Sequence, residues 1–244
     1  MAVIDAQGLY YKQLNEKIRD MVSQGETNIK IKNVNGQRYI GDALPGNVKL
    51  TLEGTPGNDL AAYMNGAKVV VKGNAQDGTA NTMSSGTVVI HGCSGDVTGY
   101  AMRGGKVFVR DDVGYRVGIH MKEYKDLIPL IVVGGSAGSF FGEYMAGGIL
   151  VVLGLTGARE LVGDFCGTGM HGGVMYLRGR VPQYKLGKEV QVEPLTEADN
   201  KALKSYIKEF AAYFDYSARD ILNEEFTKLV PYNIRPYGNL YTHY

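Results

Sequence analysis

The residues able to do chemistry in this chain are few and scattered. His91 and Cys93 form one Cys/His pair and Cys166 with His171 another. A thiolate beside an imidazole suits nucleophilic catalysis or metal binding. Neither pair belongs to a set with zinc spacing, there is no C-x-x-C, and no base or helix N-terminus is indicated beside either thiol. Both cysteines read as small residues in packed corners. The run Ile131-Val-Val-Gly-Gly-Ser-Ala-Gly138 has the outline of a strand leading into a phosphate loop, without the G-K-[ST] ending or a following helix pattern. Carboxylates at Asp111, Asp112, Glu123, Glu160 and Asp164 would suit acid–base work on a polysaccharide, but they lie in different loops. Arg103, Lys106, Arg110, Arg116 and Lys122 make a local basic set, either a solvated face or a dock for an acidic partner.

The composition narrows the classes. With 34 glycines, 21% charged residues and a formal net charge of +1, the chain does not look built for nucleic acid or an anionic membrane. The start lacks a basic segment followed by an apolar run, and no window approaches ~18 continuous apolar residues. Two cysteines are too few for a disulfide framework. A cytoplasmic protein with no membrane or nucleic-acid partner is expected.

The elements that carry these residues are set by a repeat. Anchors at Pro45, Met64, Met83, Met102, Asp126, Met145 and Met170 are spaced by 19, 19, 19, 24, 19 and 25 residues. Five and seven residues after each anchor stand apolar residues, such as Val69 and Val71, or Val107 and Val109. Glycine corners precede the anchors: Gly92, Gly95 and Gly99 before Met102, Gly135, Gly138 and Gly142 before Met145, and Gly163 with Gly167 before Met170. A unit of this length, with one short alternating strand and glycine corners, is what a β-solenoid coil needs. The fold expected is all-β, a right-handed single-stranded parallel β-helix of about seven coils over residues 36–181.

Outward positions carry a second pattern. Early strands show Lys49, Lys68 and Lys106 on one row and Glu53, Lys72, His91 and Arg110 on another. Later strands show Leu130 and Val132, then Ile149 and Val151, then Val174 and Tyr176 on the same face. A strand apolar on both sides is buried on both sides, so the late face is covered, by a C-terminal helix of this chain or by another subunit. Arg103, Lys106 and Arg110 with these apolar residues form the candidate partner interface. Residues 1–35 read as an N-terminal cap, with a helix over 8–24 and a strand over 28–31 that plug the end of the solenoid. Residues 182–244 read as an extension with two helices, one from Thr196 and one from Ser217 to Val230, and an aromatic tail without regular pattern, which either packs on the solenoid or a partner or is mobile.

The G-x-x-G-x-x-x-G units followed by Met and a short aliphatic strand resemble the C-terminal GXGXG domain of glutamate synthase large subunits. The run Phe226-Thr-Lys-Leu-Val-Pro231 is similar to a stretch that follows that domain. The formylmethanofuran dehydrogenases contain a chain that is similar in the same repeat. The resemblance implies a right-handed β-helical scaffold with no catalytic, cofactor or metal residue of its own. It implies partners: a glutamine amidotransferase subunit and a synthase subunit that holds FMN and an iron–sulfur cluster, with a homo-oligomer as a further arrangement. Departures from the family pattern are two anchors without Met, two expanded spacings and Gly78 in the second corner. Four readings compete: a glutamate-synthase-like assembly subunit, a formylmethanofuran dehydrogenase-type scaffold, a β-helical enzyme acting on polysaccharide, and a self-assembling β-helix with its own small-molecule site.

Overall fold

In the computed structural model, residues 2–233 are described. One sheet organises them. Strand β1 (Ala2–Asp5) leads into helix α1 (Tyr11–Ser23), then come β2 (Asn28–Asn35), β3 (Lys49–Thr55), β4 (Asn65–Lys72), β5 (Ser85–Ile90), β6 (Lys106–Val109), β7 (Leu130–Val133), β8 (Ala146–Val152) and β9 (Gly172–Arg178). They pair in parallel and in chain order, Leu50 beside Val69, Val88, Val107, Ile131, Leu150 and Met175 in turn. A second ladder of single parallel bridges joins Ala75, Ser94, Val113, Ala137 and Val162 on another side of the coils. Parallel strands, each one coil above the last, make a β-solenoid. Strands β3 to β9 bound about six turns, one fewer than the seven coils expected, because seven strands enclose six intervals.

The aliphatic ladder lies inside. Leu50, Leu52, Val69, Val71, Val88, Ile90, Val107 and Val109 are inaccessible to solvent. Each anchor methionine is equally buried. The Asp126 anchor is corrected by the structure. Met121 stands 19 residues after Met102, is fully buried, and its N–H binds Gly118 O as Met102 N–H binds Gly99 O. The extra residues of that coil follow the methionine rather than precede it, and form a small turn in which Tyr124 and Leu127 pair.

Both ends are closed. Helix α1 places Leu14 and Ile18 in the core with Ile40, and Asn15 Nδ2 donates to Arg38 O at 2.8 Å. At the other end, β10 (Val190–Glu193) and β11 (Phe226–Pro231) extend the sheet past β9 in the order β9-β11-β10, antiparallel at both new pairings. The second helix expected over 217–230 is only α3 (Ala218–Leu222). Phe226 to Pro231 is strand instead, because β9 has an unpaired edge to satisfy and Leu229 reaches the core from an extended backbone. Helix α2 (Glu197–Phe214) matches the expected start, with Thr196 as N-cap in a capping box with Asp199.

Candidate functional site

The glycine corners are backbone machinery. Before each of Met64, Met83, Met102, Met121, Met145 and Met170, the residues one, three and five places back all have positive φ. For Met102 these are Val97 (50°), Gly99 (73°) and Ala101 (50°). Left-handed backbone is strained for residues with a Cβ. Here it turns N–H groups alternately toward the next coil and the previous one: Val97 N–H binds Tyr115 O, Gly99 N–H binds Thr79 O, and Ala101 N–H binds Ile119 O. The middle position faces inward, so it is Ala or Gly; a Cβ on Gly99 would stand 2.3 Å from Ile131 Cδ1. Gly78, a departure from the expected pattern, takes the outward left-handed slot that Val97 takes one coil later.

The other glycines make room for carboxylates and amides of the coil below. Asn74 Oδ1 accepts from Cys93 N–H, Asp77 Oδ1 from Asp96 N–H, and Asp96 Oδ1 from Tyr115 N–H, at 2.8–2.9 Å. Asp112 Oδ1 accepts from Ser136 N–H at 2.7 Å, and also from the hydroxyls of Ser136 and Thr156. A Cβ at Gly92, Gly95 or Gly135 would lie within about 2.2 Å of the oxygen of Asn74, Asp77 or Asp112 respectively. At Gly163 the intruder would meet Ser139, whose hydroxyl accepts from Asp164 N–H. Gly138 packs on Gly114 O, Gly142 on the Met175 side chain and Gly167 on Val190. Sequence reasoning misses this staircase of side-chain acceptors. Its signal is an Asp or Asn that, in the regular coils, stands 19 residues before the N–H it caps.

The chemical candidates fall into these roles. Asp112 is a backbone acceptor. Burial pushes its carboxyl up, but hydrogen bonds from Ser136 and Thr156 outweigh that and hold it below the usual carboxylate range. Asp111 pairs with Arg110 at 2.8 Å. Glu160 and Asp164 both bind Lys185, at 2.6 and 3.3 Å, and Glu123 accepts from Gly148 N–H. Cys166 is buried, and burial alone pushes its thiol up to about 12. Cys93 is exposed. The Ile131–Gly138 run is strand β7 and a corner, not a loop opening a helix. Among the described residues no group of three or more His, Cys, Asp or Glu is placed to hold a metal, and no helix is long and apolar enough to cross a membrane.

The candidate interface lies on the outer face of the sheet, in three rows. The first runs Asn28, Lys49, Lys68, Thr87, Lys106, Leu130, Ile149, Val174. The central row runs Lys30, Thr51, Val70, Val89, Phe108, Val132, Val151, Tyr176. The third holds Glu53 and Lys72, followed by His91 and Arg110. Helices α2 and α3 lie on the later half. Leu130, Val132, Val151 and Tyr176 are buried against Leu203, Ile207, Phe210 and Ile221, with Ile149 and Val174 half-buried beside them. The late face is therefore covered by this chain's own C-terminal helices and is not free for a second chain. Gly134 makes this possible: a Cβ there would stand 2.7 Å from the Phe210 ring.

A polar clamp fixes the start of α2. Asp199 accepts from Thr196 Oγ1 and N–H at 2.7 Å, from Lys228 Nζ at 3.0 Å and from the Tyr176 hydroxyl at 2.5 Å. Burial pushes the Asp199 pKa up, but these bonds outweigh it and hold the carboxyl well below its ordinary range. Burial first, then Asp199, push the Tyr176 phenol far above its own. At the other end of α2, Glu209 binds Lys106 at 2.7 Å, Tyr213 lies under Lys68 at 4.5 Å and Phe214 meets His91 edge-on at 5.2 Å. Arg110 is half-buried beside this end, and Arg103 stands off the rows, in the corner before β6.

The left-handed corner also carries exposed and half-buried rings. His120 stacks on Tyr144 at 5.4 Å and meets Tyr100 edge-on, and Phe140 stacks on Phe165 at 5.0 Å with Arg116 over Phe140. Most of these side chains come from outward left-handed slots of successive coils, so the repeat itself stacks them.

A model of the GXGXG motif family matches residues 11–234. A protein of Methanocaldococcus jannaschii, described as uncharacterized, is 46% identical over 251 residues, which cover 98% of this chain and 96% of that protein. The match takes in the solenoid, both covering helices and the Phe226–Pro231 strand, and the chain belongs to the GXGXG motif family, that of the glutamate synthase C-terminal domain.

Proposed function

We propose that this chain is a non-catalytic assembly subunit of a glutamate-synthase-like oxidoreductase complex, serving glutamate formation and nitrogen metabolism. The observation that carries the reading is the family match over residues 11–234. The corner geometry agrees with it: Asp77, Asp96 and Asp112 are spent on backbone N–H groups, so the recurring polar residues of the repeat hold coils together. In this reading the solenoid positions a glutamine amidotransferase subunit against a synthase subunit, and FMN and the iron–sulfur cluster reside in the latter. Rigidity is the useful property. A rod whose inner corners are bonded to the coils on both sides keeps two docked partners at a fixed separation.

The test is affinity purification of the tagged chain from its native cells, followed by assay. The co-purified complex should carry flavin absorbance and form glutamate from glutamine and 2-oxoglutarate with a reductant, while the isolated chain should be inactive. Turnover by the isolated chain would sink the non-catalytic assignment. Co-purification of a molybdopterin protein and an amidohydrolase would move the chain to the formylmethanofuran dehydrogenase-type reading.

A further inference from the structure

The outer face of the sheet is covered along only half its length. Helix α2 runs across the strands, from Tyr176 of β9, where Asp199 is bound, to Lys68 of β4, where Tyr213 is. Beyond that point β2 and β3 present Lys30, Lys32 and Lys49, with Glu53 among them, and β4 adds Lys68 and Lys72 at the edge of the cover. Lys49 and Lys68 stand directly opposite each other across adjacent strands. Like charges so placed repel and weaken a sheet. Lys30 is paired with Glu53 at 2.6 Å and Lys68 with Tyr213, but Lys49 has no side-chain partner among the described residues.

The covered half shows what such rows accept. There an amphipathic helix lays an apolar stripe on the central row and sends a carboxylate, Glu209, to the flanking Lys106. The same rows continue into the uncovered half. The central row becomes Thr51 and Val70, both half-buried and smaller, with Val70 reached by the edge of the cover, and the flanks hold Lys49 and Lys68 on one side and Glu53 with Lys72 on the other. We infer that the outer face of β2–β4 docks an acidic amphipathic helix of a partner protein, laid in continuation of α2. Its stripe carries small apolar residues that fit Thr51 and Val70, and its flanks carry Asp or Glu toward Lys49 on one side and Lys72 on the other. Nucleic acid fits less well: the central row of β2–β4 offers no aromatic ring for a base to stack on. That the helix belongs to a complex partner rests on the subunit reading above.

Two measurements test this. First, the full chain is titrated with a fluorescent model peptide, helical, with a Val/Ala stripe flanked by Glu. Salt-sensitive binding that falls about tenfold or more in Lys49→Glu/Lys72→Glu supports the dock, provided the variant's thermal unfolding matches wild type. Absent binding, or tighter binding of a charge-matched oligonucleotide or phosphatidylglycerol vesicle, overturns it. Second, complexes isolated through the tagged chain are treated with a zero-length carbodiimide. Links from Lys32, Lys49 or Lys72 to one acidic helix of a co-purified flavoprotein or amidotransferase support the dock. Links that fall elsewhere overturn it and leave the subunit reading standing. If neither partner co-purifies, the subunit reading fails, and the peptide titration alone decides the dock.

Discussion

Lys49 and Val174 occupy the same row of the sheet, six strands apart, and the chain treats their surroundings in opposite ways. Around Val174 the outer face is apolar, lies under α2 and α3, and is locked by the Asp199 clamp. Around Lys49 it is cationic and uncovered. The inner face does not change: Leu50 and Met175 are both fully buried in one continuous ladder. The difference shows that inner packing specifies the solenoid and outer composition specifies what lies on it. A two-sided apolar strand needs a cover to keep it from water, and this chain supplies one over β5–β9 that ends on Lys68 and Val70 of β4.

Four substitutions can break or sharpen that contrast. The largest effect should come from Phe210→Ala, which empties the centre of the cover over Gly134; we expect a loss of about 3–5 kcal/mol in urea unfolding. A loss under about 1 kcal/mol would show that the cover contributes little to the late half. Asp199→Asn comes next, at about 3 kcal/mol, because it leaves the largely buried Lys228 ammonium without its closest charged partner. The same residue gives the cover a pH limit. Its folded pKa is depressed, so its contribution is complete above the ordinary carboxylate value of about 4 and is lost as pH falls through the depressed value. Wild type should lose stability along that acid limb more steeply than Asp199→Asn.

A smaller effect belongs to His91, at the boundary between the halves. Burial first, then Lys72 and Arg110, hold its pKa below the ordinary value. Lys72 Nζ donates to its Nε2 at 3.0 Å, which requires the ring to be neutral. The folded state therefore resists protonation, and stability should fall as pH drops from the ordinary histidine value through the lowered one. His91→Gln should remove that slope; an unchanged slope would assign it to another group. The smallest effect is expected from Lys49→Thr, within about 0.5 kcal/mol of wild type and on the stabilising side, since repulsion from Lys68 is relieved. A clear destabilisation would mean the lysine row has a structural partner, and would weaken the contrast from the other side.

Most of the solenoid is legible because its signal is local and repeated. The buried valines, the anchor methionines and the inward small residue before them recur at a fixed spacing, so each copy corroborates the others. Met121 escapes because an insertion hides a period. The spacing from Met102 to the next strand is longer, and sequence alone does not say on which side of the methionine the extra residues fall. Phe226–Pro231 reads as helix because its apolar spacing fits a helical stripe as well as an extended edge. The aromatic tail, for which the sequence leaves packing and mobility both open, lies mostly in residues 234–244, outside those described. Of the candidate interface, the apolar late residues are recognisable as covered, but either of two covers fits their pattern.

The sequence by itself determined the period, the inward ladder and the division of the outer face into a charged and an apolar half. These follow from side-chain types at fixed positions along a strand, where alternation alone decides which way a residue points. Only the tertiary structure decided that Gly95 and Gly135 admit Asp77 and Asp112 from the coil below, that Phe210 rather than a second chain closes the late face, and that Lys49 is left uncovered. Those contacts join residues about 19 to more than 70 positions apart. They exist because stacking brings coils to one strand spacing of about 4.8 Å, a distance no local pattern encodes.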